Sequence, residues 1–124
     1  MVLKYQLVTR ELKELFVKEF KDKIDSIVLF GSATKGRYRE GESDIDILIV
    51  AEDDSLYDKI LDIVIEVDLE HSTATSLVYL TKEKFDNYLK WGSPFLENVI
   101  EEGVVLYDKG TFKRVRKSIV KASK

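Results

Sequence analysis

The chain contains no cysteine, which excludes disulfides, thiolate metal sites and cysteine nucleophiles. It has one histidine, His71, so no histidine-based metal cluster or catalytic triad is expected, and its polar surroundings read as a loop. A single proline and six glycines leave little scope for long flexible linkers, and one domain spanning residues 1–124 is expected. No run approaches the roughly 20 apolar residues of a membrane span. The N-terminal stretch lacks the apolar segment and small-residue cleavage site of a secretory signal, so a cytoplasmic protein without a membrane partner is expected.

What is present is a chain 44% hydrophobic and 35% charged, the balance of a water-exposed globular domain. The net charge of −3 hides a division. Residues 109–124 carry seven Lys or Arg and no acid, whereas the remainder sets 13 basic residues against 23 acidic ones. An acidic body repels a polyanion, so nucleic acid is not the expected partner. The basic tail reads as a solvated helix face, a dock for an acidic partner or a phosphate contact.

Apolar spacing predicts the elements. Thr9 is placed to cap a helix with Leu12, Leu15, Phe16 and Phe20 on its inner face, ending near Lys23. Ile27 to Phe30 and Ile45 to Val50 are short apolar runs that read as buried strands. Ser55 opens a helix with Ile60, Leu61, Val64 and Val67 inward, although Ile63 to Leu69 also has the β-branched content of a strand. Ser76 to Leu80 reads as a strand, and Thr81 caps a helix that runs to Leu89 and ends at Trp91-Gly92. Ser93-Pro94 starts a helix burying Phe95, Leu96, Val99 and Ile100, which Gly103 terminates before a strand from Val104 to Tyr107. From Thr111, Phe112, Val115, Ile119 and Ala122 recur at helical spacing. Trp91 reads as a core or interface anchor and Tyr38 as a loop aromatic.

The chemistry concentrates between Ile27 and Val50. A strand ends in Gly31-Ser32, a basic loop follows, and the next strand opens with Asp44-Ile45-Asp46. Residues two apart on a strand share a face, so the two carboxylates converge beside the turn and suit a hard divalent cation. The glycine lets a phosphate approach the backbone, and the serine hydroxyl and nearby amides can hydrogen-bond it. Lys35, Arg37 and Arg39 read as solvated loop charges able to add cationic contacts.

In this order, Gly31, Ser32, Ser43, Asp44 and Asp46 resemble the motif of the DNA polymerase beta-like nucleotidyltransferases. The short chain is similar in particular to the minimal nucleotidyltransferases (MNT) of HEPN-type toxin–antitoxin pairs. The segment from Ser93 through Tyr107 also looks like these small proteins. Eleven residues, Ala33 to Ser43, separate the two halves of the motif, a difference a surface loop absorbs.

The resemblance implies an α/β (α+β) fold, a small mixed β-sheet flanked by helices, here expected on one side. It implies Asp44 and Asp46 as catalytic residues and Mg2+ ligands. It further implies Gly31, Ser32 and Ser43 around the phosphates of a nucleoside triphosphate, with ATP the expected substrate. The implied reaction moves a nucleoside monophosphate to a hydroxyl, on a HEPN-type partner protein, in an antitoxin role. Active members place a third carboxylate on a neighbouring strand, whereas Ser76 to Leu80 has no acid. Asp68 or Glu70 would serve only if Ile63 to Leu69 were that strand. A catalytically weak or inactive module binding nucleotide or partner is therefore the alternative, and self-association is left open.

Overall fold

The computed structural model describes residues 3–122, with side chains through residue 119. Helix α1 (Lys4–Phe20) leads through a 3-10 turn (Lys21–Lys23) into strand β1 (Ile24–Phe30). A second 3-10 turn (Gly31–Lys35) and a loop lead to β2 (Ile45–Ala51). A third such turn (Asp54–Leu56) precedes α2 (Tyr57–His71), then β3 (Thr75–Thr81), α3 (Lys82–Trp91), α4 (Pro94–Glu102), β4 (Val104–Asp108) and α5 (Thr111–Ala122).

The strands form a sheet in the order β3-β2-β1-β4, with β1 antiparallel to both β2 and β4, and β2 parallel to β3. The parallel pair requires a crossover, which α2 supplies. Residues 57–71 are therefore helical throughout, with Ile60, Val64 and Val67 buried at helical spacing. The β-branched content of Ile63 to Leu69 yields to that periodicity.

Both faces of the sheet are covered. Ile27 and Leu29 of β1 and Ile45, Ile47 and Ile49 of β2 pack with α1 and α2. Val28, Leu48 and Val50 point the other way, into a core with Phe85 of α3, Leu96 and Ile100 of α4, and Phe112 of α5. This corrects the expectation of helices on one side. The continuous apolar runs of β1 and β2 are the consequence, since a strand buried on both faces cannot alternate.

The caps at Thr81 and Ser93 are present, accepting bonds from the amides of Lys84 and Leu96, both at 3.2 Å. Three expectations are corrected. Helix α1 begins at Lys4, and Thr9 lies inside it, buried, with its hydroxyl donating to the Gln6 carbonyl at 3.1 Å. The Gln6 side chain takes the terminal role, accepting from the Leu3 amide at 2.9 Å. Phe95 is 43% exposed and Trp91 72% exposed, so neither is a core residue. His71 is the last residue of α2, where its Nε2 lies 2.6 Å from Glu11 Oε2 of α1.

Candidate active site

The site is built where β1 ends beside the start of β2. Phe30 pairs with Asp46 across the two strands. Asp46 shares a face with Leu48 and Val50, and so lies on the side of the sheet covered by α3, α4 and α5. Gly31 follows with φ of +79°, and a β-carbon there would collide with Asp46 Oδ2. Only glycine lets the turn and the carboxylate touch.

The turn is held by bonds within itself and to the two residues that follow it. Thr34 Oγ1 donates to the Gly31 carbonyl at 2.9 Å, and the amides of Gly36 and Arg37 donate to the Ser32 carbonyl. The Ser32 hydroxyl has no protein partner among the described residues. Ser43 closes the following loop: its amide donates to the Arg39 carbonyl at 2.8 Å and its hydroxyl accepts from the Arg39 amide at 2.9 Å. Ser43 thus fixes the approach to Asp44.

Asp44 is exposed and Asp46 half-buried. Burial, and then the negative charge of Asp44, pushes the Asp46 carboxyl above its ordinary value. Two coupled carboxylates, one partly desolvated, are a donor set that a hard divalent cation satisfies. Of the loop cations, Lys35 pairs with Glu102 of α4 at 3.4 Å and Arg39 with Glu42 at 3.8 Å, while Arg37 is exposed.

No acid of β3 joins the pair. Ser76 is the register partner of Asp46 and occupies the corresponding place on the neighbouring strand. Asp68 lies on α2, across the sheet from Asp46. Its Oδ1 accepts from the hydroxyls of Thr73 and Thr75 and its Oδ2 from the Thr75 amide, all at 2.8 Å. It clamps the turn into β3. Glu70 is exposed, and its carboxylate lies within 4.8 Å of the ligand atoms of Glu11 and His71 at the α1–α2 crossing.

Two small clefts flank the carboxylates. One, of about 190 Å³, adjoins Asp44 and is lined by Lys4, Tyr38, Glu42, Ser43 and Thr73 among others. Tyr38 packs there at a tilt of 49° against Tyr5, with ring centroids 4.8 Å apart. Its phenol is pushed above its ordinary value by burial, then by Glu40, Asp44 and Asp68. The other, of about 200 Å³, adjoins Gly31 and includes Phe95, Asn98 and Glu102 of α4. Those three α4 residues are distant in sequence from the motif, and nothing local in the sequence signals their approach. A larger groove of about 940 Å³ lies between α1 and α2, away from this chemistry.

A mixed sheet that sets a Gly-Ser turn against an Asp-x-Asp strand defines a nucleotidyltransferase. Residues 9–123 match the nucleotidyltransferase domain family, and the chain belongs to it. It is 36% identical over 98 residues to a Methanocaldococcus jannaschii protein named as a protein adenylyltransferase, covering 79% of this chain and 93% of the relative. The fold is similar to a chain of a toxin–antitoxin complex with AMP-PNP (TM-score 0.54, 22% identity, 89% of this chain and 87% of the other). It is also similar to a chain of the complex between tri-AMPylated Shewanella oneidensis HEPN toxin and MNT antitoxin (TM-score 0.51, 21% identity, 92% and 86% covered).

Proposed function

We propose that this chain transfers a nucleoside monophosphate from a nucleoside triphosphate, with ATP the favoured donor, to a hydroxyl of a HEPN-type partner protein, and so acts as its antitoxin. The observation that carries this is the contact of the Asp46 carboxylate with Gly31, which sets a turn suited to phosphate against a carboxylate pair suited to a divalent cation. The relatives named for protein adenylyl transfer and for MNT–HEPN complexes support the acceptor class.

In this reading the Gly31 backbone and Ser32 hydroxyl hold the outer phosphates, and Ser43 holds the loop that presents Asp44. Asp44 and Asp46 are the residues that would hold Mg2+, which when bound supplies charge neutralisation of the triphosphate. The acceptor oxygen forms a bond to the α-phosphorus, the bond to the β-phosphate oxygen breaks, pyrophosphate leaves, and the hydroxyl proton passes to solvent. The protein contributes position and electrostatics.

A second reading is favoured by one observation, the serine opposite Asp46 on β3. With no acid on β3 to take the hydroxyl proton, the chain would bind nucleotide or partner with little turnover. Incubation of α-phosphate-labelled ATP and Mg2+ with a source-cell extract separates the two. Label on a protein that disappears with Asp44→Asn/Asp46→Asn supports transfer, and the same blank for wild type and variant with all four nucleotides supports the binding module.

A further inference from the structure

Away from Gly31 and Asp46, one cluster of metal-ligating side chains stands at the crossing of α1 and α2. Glu11 of α1 and Glu70 and His71 of α2 each bring one ligand atom, and the three atoms lie within 4.8 Å of one another. His71 Nε2 faces Glu11 Oε2 at 2.6 Å, and both side chains are partly buried, at 25% and 35% exposure. The two helices thus hold a nitrogen and a carboxylate oxygen in place, and Glu70 closes the third corner from the exposed side.

An ion pair between His71 and Glu11 accounts for two of these groups but not for the third. Glu70 adds a second carboxylate to one imidazole, so the cluster carries net negative charge even with His71 protonated. Among the described residues, neither glutamate pairs with a lysine or an arginine. His71 is also the last residue of α2, where the helix dipole presents its negative pole. Each of these raises the cost of holding Glu70 beside the pair, and a bound cation removes that cost. Asp68, one turn earlier on α2, is already occupied by Thr73 and Thr75.

The donor set selects the ion. One imidazole nitrogen with two carboxylate oxygens suits zinc and its neighbours among the divalent transition metals, whereas magnesium prefers oxygen ligands. Zinc bonds of about 2.0–2.2 Å in a tetrahedron set ligand atoms roughly 3.4 Å apart. The His71–Glu11 contact therefore opens by roughly 1 Å as Glu70 swings in, a change that side-chain rotation at an exposed helix end supplies.

We propose that Glu11, Glu70 and His71 form a metal site of their own, for a divalent transition ion of the zinc class, that ties α1 to the end of α2. Helix α1 and the turn after α2 also supply Lys4 and Ser72, Thr73 and Ala74 to the cleft beside Asp44, so the site braces two walls of that cleft. The proposal is independent of the nucleotide reading. Titration of Zn2+ alone into the Asp44→Asn/Asp46→Asn protein, by calorimetry and thermal melting, separates this site from the acidic pair. A single equivalent of Zn2+ binds and raises the melting temperature, and Mg2+ at the same concentration does neither. Glu70→Gln, which leaves the His71–Glu11 pair intact, and His71→Gln each weaken Zn2+ on the order of tenfold or more in that background.

No Zn2+ binding by the Asp44→Asn/Asp46→Asn protein overturns the proposal, as does Zn2+ affinity unchanged by either Glu70→Gln or His71→Gln. A melting temperature lowered equally by His71→Gln with and without Zn2+ leaves only an ion pair between helices and also overturns it. Glu70 is exposed, and a metal-free melt of Glu70→Gln that matches its parent excludes misfolding as the cause. ATP titration of the wild type measures nucleotide binding separately, so either reading can fail alone.

Discussion

The Asp46 carboxylate rests against Gly31, so the two halves of the motif, eleven residues apart along the loop, form one surface. At φ of +79°, alanine at position 31 would be strained by its backbone as well as by collision with Asp46. Gly31→Ala is expected to cost roughly 1–3 kcal/mol of stability from the backbone alone and to abolish nucleotide binding. Urea denaturation and ATP titration check the two effects separately.

Neutralising Asp46 should stabilise the fold while removing transfer. Its carboxyl is raised by burial and by Asp44, so the folded state holds its proton to higher pH than the unfolded state does. Stability therefore falls as pH rises from the ordinary carboxylate value through the raised one. Asp46→Asn removes that fall, and Mg2+ raises the wild-type melting temperature at pH 7 but not that of the variant. Loss of labelling by about a hundredfold or more is the expected cost to activity.

Ser76→Asp tests the second reading. The substitution places an acid beside Asp46 on the neighbouring strand. If transfer is limited by proton removal, labelling rises on the order of tenfold or more. An unchanged rate with tighter Mg2+ binding would assign the new carboxylate to the metal alone.

Asp108 anchors the basic helix. Burial pushes its carboxyl up, but bonds from the Lys113 amide, the Ser26 hydroxyl and the Phe112 amide outweigh burial and hold it below the ordinary range. Its contribution is present above the unfolded carboxylate value and is lost as pH falls through the folded one. Asp108→Ala should destabilise by about 1–2 kcal/mol, seen as a shift in urea midpoint at pH 7 that shrinks toward pH 3.

The structure gives α5 a definite structural task. Phe112 is fully buried, and Arg116 donates to the carbonyls of Ile100 at 2.6 Å and Gly103 at 2.7 Å. One of the tail's basic residues is thus committed to closing the end of α4, while Lys113, Arg114 and Lys117 remain on the outer face. Ala122, expected on the apolar stripe, has a side chain outside those described.

Much of the fold was legible because local rules and tertiary packing agree. Thr81, Ser93-Pro94 and Gly92 mark helix ends by backbone chemistry that needs no distant partner. The start of α1 was misplaced because Thr9 has the hydroxyl of a cap, yet its position on the helix faces the core. Phe95 was misassigned because apolar periodicity reports which residues can be buried, not whether another element covers them.

The sequence alone determined the nucleotidyltransferase motif and the missing acid from Ser76 to Leu80. These follow from residue type and spacing within single elements. Tertiary structure decided that Asp46 meets Gly31, that residues 57–71 are helical throughout, that Asp68 serves the turn into β3, and that α4 lies beside the Gly31–Lys35 turn. Those relations depend on strand register and on which sheet face a helix covers, and neither is encoded in any one segment.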